Sequence, residues 1–364
     1  MFWYILALAL SMLFASGAQR LKGKSNLDVD GGTFYFRSSY YCMVILSFLP
    51  IFTVAAIRNK VGTDWPIYLD YYQWINEGTK SFSEPLFNFI NKCVGFFIKD
   101  FQGLIILVAF LSYFFLFKAI YEQSISVPLS LLIFFISSSF FASMNQLRQA
   151  ISMPMMLYAY KYIRDRKPLP YFFWCIVASC IHASSLIFLP LYFVVKSRPS
   201  VRRYAVAFGF CVIALPLLHY IAEVLIKFSK YAWYFTSVFN AGDEANNFYL
   251  LGFVFQLIMF VIMAYYRFIP GEEDPVYDGM LNCYFLSVIA LLFTPVLSQV
   301  LRVSQCFGYC QILLVPRMIN REKNPTRRVV LYLLIVGLYT AKLLYDTSYL
   351  GWNGVIPYQT IFGS

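Results

Sequence analysis

The chain has 364 residues, of which 60% are hydrophobic, 20% aromatic and 13% charged, against about 45–50% apolar and about 25% charged in an ordinary soluble domain. A mean hydropathy of +0.63, and apolar runs near the roughly 20 residues that span a bilayer, mark a polytopic membrane protein and exclude a water-soluble enzyme or a single-anchor receptor. The formal charge of +11 falls mainly in short connections between apolar segments, so topology explains it better than nucleic acid binding does.

Hydropathy predicts spans near 2–18, 40–57, 101–117, 127–142, 147–163, 204–221, 248–266, 280–297, 303–315 and 329–344. The first run ends in Ala15-Ser16-Gly17 but has no basic residue before it. Arg20, Lys22 and Lys24 follow it, which predicts a retained helix with its N-terminus outside. Seven of the eight cysteines sit in apolar runs and only Cys93 lies in a polar stretch, so neither a disulfide framework nor a zinc spacing is expected.

Residues 58–100 form a long polar segment on the outer side, where function is expected. It holds Gly62-Thr63-Asp64-Trp65-Pro66, then Tyr68, Tyr71 and Tyr72, with Asp70, Glu77 and Glu84 nearby. Thr63 or Asp64 followed by Pro66 reads as a capped helix start. The segment is either an interfacial amphipathic helix, or a glycan-binding platform of Trp65, Tyr68 and Tyr72 in which an acidic residue such as Glu77 binds hydroxyls or Asp64 takes a proton.

Asn145-Gln146-Leu147-Arg148-Gln149 opens a span at its outer end. Arginine there opposes the helix dipole, yet first-turn amides, a capping Asn145, Gln149 and the Arg148 fork together suit a phosphate. The other reading has Arg148 snorkelling to lipid headgroups. The uncharged run 169–195 lies between two basic flanks, so it is expected to enter and return as two short helices meeting near His182, each of about 13 residues and about 20 Å long. His182 is a functional candidate because ionisable groups at membrane depth are costly; the alternative is a neutral histidine at a helix break. Arg302, after Pro295 and Gln299, repeats the Arg148 arrangement, and the two could clamp a diphosphate if they meet. His219, beside Glu223, reads as structural. No Gly-rich phosphate loop, nucleophile elbow, paired-histidine zinc motif or Asp-x-Asp pair occurs, so no metal and no cofactor is expected.

Gly62-Thr63-Asp64 with Tyr68, Asn145–Gln149, Ile181-His182-Ala183-Ser184-Ser185, Leu301-Arg302-Val303-Ser304 and Ile356-Pro357-Tyr358-Gln359-Thr360, in this order, resemble the EpsG family of Wzy-type polysaccharide polymerases; Gln359 stands where that family's last motif has lysine. The resemblance implies an all-α, polytopic transmembrane bundle of about 10 spans plus the hairpin, GT-C-like in architecture, forming one integral-membrane domain over 1–364. It implies a metal-independent, inverting membrane glycosyltransferase of the bacterial cytoplasmic (inner) membrane. Such an enzyme moves the growing glycan from undecaprenyl diphosphate to a sugar hydroxyl of the incoming lipid-linked repeat unit at the extracytoplasmic face. Arg148 and Arg302 would carry the diphosphate and Asp64 or His182 would be the base. Membrane lipid, a chain-length regulator and a flippase are the implied partners, with no nucleic acid. Two other readings stay open: a lipid-linked oligosaccharide flippase, and a lipid-phosphate-dependent ligase.

Overall fold

The computed structural model describes residues 1–25, 33–227, 243–269, 273–294 and 300–363. The molecule is 81% helix, with no strand among the described residues, so the all-α class expected from the hydropathy is the observed one. Six helices are long and apolar enough to cross a membrane, and a seventh crossing counts if the pair Val127–Ile136 and Ser139–Asn145, bent by 60°, is one span.

The remaining expected runs differ for separate reasons. Helix Leu147–Arg164 carries Arg148, Gln149, Lys161 and Arg164 yet is buried over nearly its whole length. A helix enclosed by protein needs no lipid-facing apolar surface. Run 303–315 is not one helix, because Val300–Gly308 ends at a turn and Gln311–Arg321 begins anew. The helix covering 204–221 begins earlier, at Val201. In the run 169–195, helix Pro168–Ile181 stops at His182, whose extended backbone (φ −148°, ψ 109°) leads into a 3-10 turn, Ala183–Phe188. The Tyr171 hydroxyl donates to the Phe188 carbonyl at 2.7 Å, so the chain folds back along the helix it has just left.

Where the sequence reads as one domain, the chain divides into two compact units, Met1–Leu189 with Val315–Ser364, and Pro190–Leu314. In the first, helix α1 (Phe2–Ser25) packs on α2 (Thr33–Ala56), with Ala15 and Ala18 fully buried. Gly17 lies at this contact, where a Cβ would come 3.4 Å from the Met43 sulfur, and such small residues let helix backbones approach in lipid. Helices α3 (Trp65–Glu77) and α4 (Pro85–Phe97) fill the polar segment. Asp100 caps α5 (Phe101–Gln123) by accepting the Gln102 N–H at 2.9 Å. Next come α6 (Val127–Ile136), α7 (Ser139–Asn145), α8 (Leu147–Arg164) and α9 (Pro168–Ile181), with α5 packed on α8 and α8 on α9. Ser138, at φ +63°, makes the break between α6 and α7. Its hydroxyl donates to Asp346, a carboxylate buried near the end of the last span and paired with Lys342.

In the second unit, Asp274 caps the helix Pro275–Leu292 through the Val276 and Tyr277 amides. Arg267 and Asp278 form a two-point ion pair. Tyr204 donates to Asn282, which in turn donates to the Ser197 carbonyl at 2.6 Å. These polar groups satisfy one another, as buried ones must where water is scarce.

Candidate functional site

Three distant stretches of chain meet at Gly62–Asp64. Asn145, at the end of α7, is buried, and its side-chain oxygen accepts the Thr63 hydroxyl at 3.1 Å and the Asp64 N–H at 2.7 Å. On the other side, the Gly62 and Thr63 amides donate to the Gly354 and Asn353 carbonyls. Gly62 has φ +111°, and a Cβ there would lie 3.1 Å from the Met144 carbonyl; one on Gly354 would lie 3.0 Å from Thr63. A positive φ and a backbone neighbour both demand glycine. Gly62→Ala is therefore expected to cost about 1–3 kcal/mol, read as a lower unfolding temperature of the detergent-purified protein; an unchanged value would mean the junction is loose.

The terminal motif seals the same place. The Tyr358 hydroxyl donates to the Val54 carbonyl at 2.8 Å, the Asn59 amide donates to the Gln359 carbonyl, and Thr360 bridges to Arg58. Gln359 thus makes this contact through its backbone, which any side chain allows. Arg58 is fully buried among Tyr4, Tyr113 and Tyr358. Burial pushes its guanidinium down to about 10, so it stays charged at neutral pH.

Arg148, in the first turn of α8, is the centre of the second cluster. Its Nη1 donates to Glu84 Oε1 at 2.8 Å, its guanidinium lies 4.2 Å over the Phe82 ring, and the Tyr68 hydroxyl is against it. The helix dipole disfavours a cation there, and Glu84 supplies the compensating charge. Glu84 occupies the N-cap of α4 without capping it. Its carboxylate instead accepts the Ser83 hydroxyl and the Ala183 N–H and lies 3.9 Å from His182 Nδ1. His182 is buried. Arg148 Nε and Ser185 Oγ are buried and make no hydrogen bond within the protein, which leaves donors for a ligand.

Burial alone would push the Glu84 carboxyl up, but Arg148, the Ser83 and Ala183 hydrogen bonds and His182 together hold it below its ordinary 4.5. A depressed folded value means that its stabilisation is fully present above the unfolded value and is lost as pH falls through the folded one. Wild-type stability is expected to show no contribution from Glu84 to its slope between about pH 8 and about pH 5, and a loss below that. Glu84→Gln should remove this acid-side loss and cost about 1–3 kcal/mol at neutral pH. Thermal unfolding of both proteins across pH checks it, and identical acid limbs would refute the pairing.

Other expected site residues fall elsewhere. Asp64 is the N-cap residue of α3, with Pro66 in the first turn, but no side chain caps the helix. Tyr68 and Tyr72 do not form an open platform. They face inward, against Phe82 and Phe87 and against Phe101. Trp65 packs edge-on to Phe101 at 5.1 Å. Like Trp65, Tyr71, stacked on Phe82 at 3.9 Å, and Trp74 beside it are half-buried. Glu77 is exposed at the end of α3, while Glu84, seven residues on, enters the cluster. Gln149 is buried. Arg302 belongs to the second unit, half-buried on the helix Val300–Gly308. Pro295 and Gln299, and the side chains of His219 and Glu223, lie outside the described residues.

A family model described as the EpsG family matches residues 41–360. The chain belongs to the EpsG family. No curated protein and no solved structure matches it. EpsG proteins are Wzy-like polysaccharide polymerases, and the apolar helices agree with a multi-pass membrane protein of polysaccharide biosynthesis. The EpsG match spans both clusters and the tail that closes over Gly62.

Proposed function

We propose that this EpsG protein is a polysaccharide polymerase that transfers a growing glycan from undecaprenyl diphosphate to a sugar hydroxyl of an incoming lipid-linked repeat unit. The observation that carries this reading is the meeting of Arg148, Glu84 and His182. It joins a phosphate-binding fork to a proton acceptor within one compact unit.

Arg148 binds the lipid diphosphate and stabilises the charge that develops on it as it leaves. Stacking on Phe82 and the bridge to Glu84 fix the fork beforehand, so little reorganisation is needed. Asn145 and Gln149 hold the surrounding turn. The acceptor oxygen attacks the anomeric carbon, the bond from that carbon to the diphosphate oxygen breaks, and its electron pair stays with the diphosphate. His182 takes the hydroxyl proton as general base, and Glu84 stabilises the positive ring that results. Direct displacement inverts the anomeric centre and asks for no metal. Asp64 is the alternative base.

Tyr71 and Trp74 offer the growing glycan ring faces, with Trp65, Tyr68, Tyr72 and Glu77 shaping the helices beneath. The buried helix α8, the helix Val201–Lys227 and the broken stretch 303–315 bring the spans to about ten, the number of a GT-C-like architecture. The basic connections face the cytoplasm of a bacterial inner membrane and the Gly62 junction faces outward. A chain-length regulator and a flippase act beside the enzyme.

The test is incubation of the detergent-purified protein with its native undecaprenyl-diphosphate repeat unit, without nucleotide sugar or ATP, and separation of the lipid-linked products by size. A ladder supports a polymerase. A single unchanged band with authenticated substrate overturns it in favour of the ligase or flippase, which a liposome translocation assay separates.

A further inference from the structure

At the far end of α5 and α8 from Arg148, a cavity of about 650 Å³ opens at the surface of the first unit. Arg148 and Arg164 are sixteen residues apart on one helix, about 24 Å at 1.5 Å per residue, so this cavity is separate from the candidate site. Its cations are Lys22, Lys118, Lys161, Arg164 and Lys167; its carboxylates are Glu122 and Asp165. Both carboxylates are already engaged, Glu122 by Lys161 at 2.6 Å and Asp165 by Arg164 at 2.7 Å. The lining therefore carries a net charge of +3 that its own carboxylates do not balance. Lys118 lies over the rings of Phe114 and Tyr158 at 5.7 and 5.2 Å, which holds its ammonium in place.

Two further observations say what fills the cavity. The candidate spans Phe2–Lys22, Arg37–Ala56 and Phe101–Gln123 all end or begin beside it, which sets it at the level of lipid headgroups. Tyr41 lines both this cavity and a neighbouring, mostly apolar recess of about 530 Å³ bounded by Cys42, Ile45 and Leu46. Tyr41 and Ile45 are more than half exposed on the outer side of α2. A basic chamber at headgroup level that runs into an apolar recess along a membrane helix has the two-part chemistry of a phospholipid.

We infer that this cavity binds the phosphate headgroup of an anionic phospholipid, with an acyl chain lying along α2 over Cys42, Ile45 and Leu46. The inference needs only the membrane setting of the chain and stands apart from the proposed polymerase chemistry.

The test uses the full chain in detergent, with dissociation constants for phosphatidylglycerol, phosphatidylcholine and inorganic phosphate measured by native mass spectrometry and by the shift in unfolding temperature. The expected result is preferential binding of phosphatidylglycerol over phosphatidylcholine. Each lysine near a lipid surface is worth about fivefold in affinity. The double variant K118Q/K167Q should thus bind phosphatidylglycerol about thirtyfold more weakly. Lys167→Gln alone, at an exposed position after the end of α8, should lose about fivefold and gives the same reading if the double variant does not elute as one species. Equal binding of the two lipids, or unaltered phosphatidylglycerol binding in Lys167→Gln, overturns the site. Inorganic phosphate binding that matches the lipid and is lost in the same variants overturns the lipid as occupant.

Discussion

Arg148→Ala is expected to lower the rate of ladder formation by on the order of 10²–10³, the loss that follows removal of one preorganised donor to a developing anion. Arg148→Lys should recover only part of it, because an ammonium keeps the charge but loses both the fork and the flat face that stacks on Phe82. Deleting the guanidinium also leaves Glu84 buried beside His182 without its partner. Unfolding temperature must therefore be measured alongside rate, and Glu84→Gln in the Arg148→Ala background restores neutrality. A stable Arg148→Ala protein that polymerises at the wild-type rate would remove the diphosphate role.

The second large effect is expected at His182. Loss of a general base costs about 10²–10⁴ in rate. His182→Gln should lower the rate of ladder formation by that factor. Asp64→Asn separates the two candidate bases. Asp64 is held through its backbone amide by Asn145, so its carboxylate can be neutralised without breaking that bond. If Asp64→Asn costs that factor while His182→Gln does not, the proton goes to Asp64.

The helical class and most of the crossings were legible because hydropathy is averaged over a long window and tolerates local irregularity. Helix α8 and stretch 303–315 depart from a simple apolar span for opposite reasons. The first is polar yet enclosed by other helices, and the second is apolar yet interrupted after Gly308. Within residues 58–100 the spacing of Tyr68, Tyr72 and Ile75 is i, i+4, i+7, the period of a buried helix face, and those three are the buried residues of α3. That period marks them as core, not as an open platform. The choice of Glu84 over Glu77 had a weaker local sign, a carboxylate immediately before Pro85 at a helix start. Its turn toward Arg148 depends on α8, 64 residues later, and no local pattern carries that.

The pairing of Gly62 with Asn145 and then with Asn353 and Gly354 sets an order on biosynthesis. A chain made at about 5–20 residues per second delivers residue 353 about 15–60 s after residue 62. During that interval every membrane helix before it has already been offered to the bilayer. The loop that bears Asp64 must wait unsealed through the whole of this period, so insertion and maturation are separate events, and a protease acting on that loop would distinguish freshly inserted chains from finished ones.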